Sequence, residues 1–254
     1  MTISDTLIDS RVMITRSVRR SLRDPEAFFT ALMLPVILML MFVYVFGGAM
    51  KTGVDYVNYV VPGLIVLCAG FGAGTTAVSV AQDMSNGIVE RFRSMPLANS
   101  SVLLGHVVAS LLRNLVATVL VVGVALAVGW RPNAGIIDWS LAIGMVLVFI
   151  LAISWLAAAG GLLAGSPEAA NGMTMFLMSL PYVSTAFVPA DTMPSWMQGF
   201  AKHQPMTPVI ETLRGLWMGT PIGHQAIWAL IWCGVLLVGS AAAATWLFAN
   251  RTSK

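Results

Sequence analysis

The residues able to do chemistry are few, and their spacing does not assemble them. The three histidines, His106, His203 and His224, form no His-x-x-x-His pair. The cysteines Cys68 and Cys233 sit far apart inside apolar runs, so neither a metal site nor a disulfide is encoded. There is no Gly-x-Ser-x-Gly elbow for an acyl-transfer serine and no carboxylate pair inside an apolar run for a proton relay. None of Lys51, Lys202 and Lys254 follows a glycine, so the Gly-Lys-Ser/Thr loop that cradles phosphates is missing. The sequence therefore disfavours an enzyme, calls for no metal, and binds no ATP or other cofactor by itself.

Composition explains why the chemistry is sparse. Of 254 residues, 57% are hydrophobic and only 10% charged. A soluble domain carries about a quarter charged residues, so this is the composition of an integral membrane protein. The net charge of +3 is spread mostly over N-terminal arginines, too few for a nucleic-acid surface. A bilayer core of about 30 Å needs about 20 apolar helical residues. Six runs qualify: 28–46, 57–81, 110–129, 139–164, 173–188 and 226–249. The first follows a 27-residue polar leader with acidic as well as basic residues, which reads as an uncleaved span rather than a secretory signal. The expected fold is all-α, one transmembrane domain over 1–254: a leader to 27, a six-span region over 28–249 and a short tail over 250–254.

Lysine and arginine set the orientation. Arg11, Arg16, Arg19, Arg20, Arg23, Arg91, Arg93, Arg251 and Lys254 fall on the side of the termini, against Lys51, Arg131, Lys202 and Arg214 opposite. Both termini are therefore expected in the cytoplasm. The Asn-x-Ser/Thr matches at Asn99 and Asn250 then lie where glycosylation does not occur.

The leader is amphipathic. Ile14, Val18 and Leu22 share one helical face, with Arg16, Arg19, Arg20 and Arg23 grouped opposite, although Arg11 falls among the apolar positions. Such a helix lies in the membrane interface, its arginines toward anionic lipid or a protein partner. Asp24-Pro25-Glu26 then caps and restarts the chain as the first span. Between the second and third runs, Ile88, Phe92 and Met95 recur at helical spacing and Pro96 stops the turn. A helix this short needs a surface to pack on, and its residues alone leave a docking element and a solvated connector equally open.

The stretch Gly87-Ile88-Val89-Glu90-Arg91-Phe92-Arg93-Ser94-Met95-Pro96-Leu97, followed by Ser100-Ser101-Val102-Leu103-Leu104-Gly105, resembles the corresponding loop of ATP-binding-cassette type-2 export permeases. It is most similar to the daunorubicin-resistance permease subfamily, and the likeness extends over nearly the whole chain. The resemblance implies a coupling helix that docks on a nucleotide-binding ATPase subunit. Gly87 and Pro96 would bound it, Glu90, Arg91 and Arg93 would face the ATPase, and Phe92 would be the apolar anchor. It also implies that ATP and magnesium are held by that partner chain, and that a second permease copy, identical or a sister, completes the pathway. A hydrophobic or amphipathic substrate, such as a drug, antibiotic, lipid or secondary metabolite, would leave across the bacterial plasma membrane.

The connection from Pro189 to Gln225 is too long for a turn and reads as two helical pieces. Pro194 opens the first, with Trp196, Met197 and Phe200 on one side. Thr207-Pro208 caps the second, where Val209, Leu213, Leu216 and Trp217 form an apolar face and Glu211 and Arg214 fall at i, i+3. In the resembling family these pieces are re-entrant helices closing the external end of the pathway; by their residues alone they could equally be an external cap. Gly70, Gly72 and Gly74, and Gly160, Gly161 and Gly165, mark close helix contacts, within one subunit or between two. Pro35 and Pro181 are expected to kink their spans. Arg113 is the one charge well inside an apolar run, a functional candidate by default; with the third helix beginning near Ser101 it is expected to lie close to the cytoplasmic interface and snorkel there, with His106 at or outside the interface and without a role. The rival readings are a secondary carrier, which should show intramembrane ionisable groups or an internal repeat, a polysaccharide-exporting permease, and a membrane-integral enzyme or scaffold.

Overall fold

The computed structural model describes residues 11–12, 14–18, 25–49, 54–86 and 99–250. The described residues are helical, with no strand among them. The elements are α1 (Pro25–Leu40), continued by a wider π-helical turn over Met41–Phe46, α2 (Tyr56–Ser85), α3 (Asn99–Val128), α4 (Ile136–Ala164), α5 (Pro167–Ser179), α6 (Ser195–His203), α7 (Met206–Met218) and α8 (Gln225–Asn250). Four helices are long and apolar enough to cross a bilayer: α2, α3, α4 and α8. The chain is a multi-pass membrane protein.

α2 is the axis of the bundle. In its most apolar stretch 78% of residues are buried, against 17% for α8 and 22% for α3, and α1, α3, α4, α5 and α7 all pack on it. Bare backbone at its glycines permits this crowding, because helices in lipid associate by close packing rather than by burying apolar surface. A Cβ on Gly72 would collide with Asn114 of α3, one on Gly74 with Thr174 of α5, and one on Gly161 of α4 with the Ala77 carbonyl. Three of the six marked glycines thus serve contacts inside this chain. Gly165 instead takes a left-handed conformation, φ 77°, and ends α4.

The third helix starts at Asn99, close to the start near Ser101 read from the sequence, with Arg113 inside it. One span expectation needs correction. The fifth apolar run is not a helix from 173 to 188. α5 starts at Pro167, capped by the Ser166 hydroxyl accepting from the Ala169 N–H, and stops at Ser179. Pro181 has no N–H to extend the ladder, so the chain tightens into a 3-10 turn over Leu180–Val183 and then leaves helical geometry. Thirteen residues reach about 20 Å, short of a bilayer core.

The long connection does hold two helices. Pro194 precedes α6 as expected, whereas α7 begins at Met206 behind Pro205, one residue before Thr207. Val209, Leu213, Leu216 and Trp217 are buried, so α7 packs on the bundle. On α6, Trp196 and Phe200 are exposed while Met197 between them is half-buried. Trp217 joins Trp130 and Trp139 in a mutual cluster, ring centroids 5.2–6.0 Å apart, that closes the connection between α3 and α4 over α7.

Candidate functional site

Polar groups gather at the two ends of the bundle and along one seam between them. At the hairpin end the centre is Arg214 of α7. Its Nη1 donates to Glu211 Oε1 at 2.7 Å, the expected i, i+3 pair. The rest of the fork turns inward: Nη2 donates to the Thr185 carbonyl at 2.8 Å and the Tyr59 carbonyl at 3.1 Å, and the guanidinium carbon stands 3.8 Å above the Tyr59 ring. Tyr59 and Tyr56 donate their hydroxyls to the carbonyls of Thr185 and Phe187. The irregular strand of chain after α5 therefore has its carbonyls satisfied by one arginine and two tyrosines, as buried backbone requires. Of the hairpin residues singled out in the sequence, Glu211, Arg214 and Pro208 come together on α7, Trp217 lies on its core side, and Trp196 stands apart on exposed α6. Tyr56, Tyr59 and Thr185 were not anticipated. Two tyrosines at i, i+3 opening an apolar helix were the available signal, since buried phenols need acceptors.

At the opposite end, Asp83 in the last turn of α2 is 1% exposed. His106 Nε2 of α3 lies 3.2 Å from Asp83 Oδ2, and both Arg16 Nη atoms lie 3.4 Å from the same oxygen. A buried carboxylate is tolerated only when paired, and the contact to ionised Asp83 calls for the Nε2–H form of the imidazole. Arg16, expected to face lipid or a partner, instead pairs within the chain, and His106, given no role in the sequence reading, is a buried member of the cluster. Physically, a carboxylate buried at the end of the apolar run needs a charged partner, and Arg16 supplies one. Arg19, Arg20 and Arg23 lie outside the described residues, as do Gly87, Glu90, Arg91, Phe92, Arg93 and Pro96.

A polar seam runs up α3 from His106. Ser110 pairs with Ser154 of α4 at 2.9 Å, Asn114 donates to the Ser110 carbonyl, and Arg113 donates to Thr76 Oγ1 of α2 at 3.1 Å. Arg113 is thus bound to α2, through Thr76 Oγ1 and the Gly72 carbonyl. Among the described residues no group of three His, Cys, Asp or Glu could hold a metal ion, and both cysteines are free and buried. The arrangement is that of helices held in register by buried hydrogen bonds, with fixed charges at both ends.

The relatives of this chain fit that picture. Residues 9–218 match the family model of the ABC-2 type transporter. A daunorubicin resistance ABC transporter permease of Streptomyces coeruleorubidus is 32% identical over 198 residues, covering 77% of this chain and 70% of that protein. A probable doxorubicin resistance ABC transporter permease of Mycobacterium tuberculosis is 26% identical over 238 residues, covering 93% and 85%. A probable multidrug ABC transporter permease of Escherichia coli K12 is 24% identical over 204 residues, covering 78% and 53%. With an all-helical membrane bundle, no phosphate loop in its sequence and a family match over most of its length, the chain belongs to the ABC-2 type transporter family as a membrane permease subunit.

Proposed function

We propose that this permease forms the membrane pathway of an exporter that moves hydrophobic or amphipathic compounds, drugs and antibiotics among them, out across the bacterial plasma membrane. Energy comes from a separate ATPase chain, which holds ATP and magnesium and docks on the loop around Glu90-Arg91-Phe92-Arg93. Two permease copies assemble with two ATPases. Both termini are cytoplasmic; α1, α2, α3, α4, α5 with its 3-10 extension, and α8 make the six crossings, and α6 with α7 is a re-entrant hairpin at the external face.

The observation that carries this reading is the similarity over most of the chain to permeases named for daunorubicin and doxorubicin resistance. The Asp83 cluster supports it mechanically. It joins the N-terminal helix to both helices that flank the loop, so a push on the loop reaches three elements together.

Gentle isolation of the tagged chain from its native membrane tests the proposal. A stoichiometric companion carrying a Gly-Lys-Ser/Thr loop is expected. A chain that comes away alone and still transports in sealed vesicles overturns it in favour of a secondary carrier.

A further inference from the structure

A cavity of about 900 Å³ opens between α7 and the head of α8, on the hairpin side of the bundle. Its two walls differ in chemistry. On one side Trp228 and Trp232 stand one turn apart on the first turns of α8. On the other side lies Glu211, whose side chain is 29% exposed while that of its partner Arg214 is 11% exposed. Arg214 and His224 also line the cavity; the Arg214 fork is occupied by Glu211, the carbonyls of Tyr59 and Thr185 and the Tyr59 ring, which leaves the carboxylate as the more exposed half of the pair. At the rim, Lys202 is held by Asp191 at 2.7 Å and His203 Nδ1 by the Gly199 carbonyl at 2.8 Å. Thr185, 6% exposed, also lines the cavity, and its hydroxyl has no partner among the described residues. What the cavity offers beyond these internal pairs is a partly exposed carboxylate in the same lining as two indoles, the combination that attracts an ammonium group.

A tail would have a track. From the cavity, Trp228, Ile231, Val235 and Val238 follow at i, i+3, i+7 and i+10 down one face of α8, and all four are exposed. The volume falls in the range of small-molecule pockets, about 300–1,000 Å³. We propose that the cavity between α7 and α8 binds the ammonium head of an amphiphile, with Glu211 as counter-ion, Trp228 and Trp232 as cation–π faces, and the apolar tail laid along α8 in the bilayer. This goes beyond the exporter reading and does not depend on an ATPase. A resident amine-headed phospholipid and a transported cationic amphiphile share this chemistry.

The full chain in nanodiscs of phosphatidylglycerol is the material for the test, and the probes are a diazirine-bearing hexadecyltrimethylammonium and its hexadecylsulfate counterpart. The ammonium probe is expected to label the stretch 203–235, and the sulfate probe to leave it unlabelled. Glu211→Gln, and independently Trp228→Ala with Trp232→Ala, should cut that labelling about ten-fold, while Trp246→Ala at the far end of α8 should not change it. The tryptophan pair keeps the proposal testable if Glu211→Gln disturbs the Arg214 contacts. Equal labelling by both probes, no labelling of 203–235, or full labelling of the tryptophan pair variant overturns the proposal. Loss of labelling when phosphatidylethanolamine is added to the nanodisc identifies a lipid site. Loss only with free dodecylamine identifies a site for transported amines.

Discussion

Asp83 of α2 and His106 of α3 meet at 3.2 Å, across the two ends of the segment 87–98 that joins their helices. The contact closes the base of a helical hairpin, and the pairing of Arg16 with the same carboxylate oxygen brings the N-terminal helix onto that base. Helices that share a buried ion cluster move together, because separating them leaves a charge stranded in an apolar surrounding.

Removing Asp83 should therefore cost more than a single contact. Asp83→Ala leaves Arg16 and a buried His106 without this partner, and a loss of about 3 kcal/mol is expected. Combined with His106→Ala in a double-mutant cycle, the two effects should be strongly non-additive. Thermal unfolding in detergent measures this, and additive losses would show that the two residues act separately.

Glycine 72 sets the α2–α3 distance. Gly72→Ala should destabilise by about 1–3 kcal/mol, because its methyl group meets the Asn114 side chain in a seam that cannot widen. Adding Asn114→Ala should recover most of the loss, as read from the melting temperature of the purified chain. Failure to recover would place the strain elsewhere.

Arg214 cannot be replaced by lysine. A single ammonium cannot reach Glu211, two carbonyls and the Tyr59 face at once, so Arg214→Lys should loosen the segment after α5. Limited proteolysis with mass-spectrometric mapping should show new cleavage between 184 and 224. An unchanged digestion pattern would mean that the tyrosine hydroxyls alone hold that segment.

For the proposed docking loop, Glu90→Ala should lower substrate-stimulated ATP hydrolysis by the ATPase partner while membrane insertion stays intact. Phe92→Asp should release that partner during purification. Unchanged stimulation in the first variant, or full retention in the second, would place coupling elsewhere.

How much of this could be read from the chain depends on what each signal rests on. The long apolar helices were legible because lipid leaves a backbone no alternative to internal hydrogen bonding, and α2, α4 and α8 follow from uninterrupted runs alone. The Glu211–Arg214 pair was legible because i, i+3 spacing is local. The fifth helix was misplaced because the apolar run continues past Pro181, whereas the helix is bounded by the Ser166-Pro167 cap and by Pro181 itself. Asp83 lies just past an apolar run, and nothing near it in sequence shows that Arg16, 67 residues earlier, and His106, 23 residues later, converge on it. The same limit applied to Tyr59, whose contact to Arg214 spans 155 residues. Hydropathy reports what a segment buries, and only packing reports against what.

The cluster of Trp130, Trp139 and Trp217 has an optical consequence. Indoles with centroids 5.2–6.0 Å apart couple their excited states, and two of the three pairs also cross at steep angles of 72° and 88°. Trp217 rides on α7, while Trp130 and Trp139 flank the turn between α3 and α4. The near-ultraviolet dichroism of the protein thus carries a built-in gauge of whether α7 sits against the bundle, readable without any attached label.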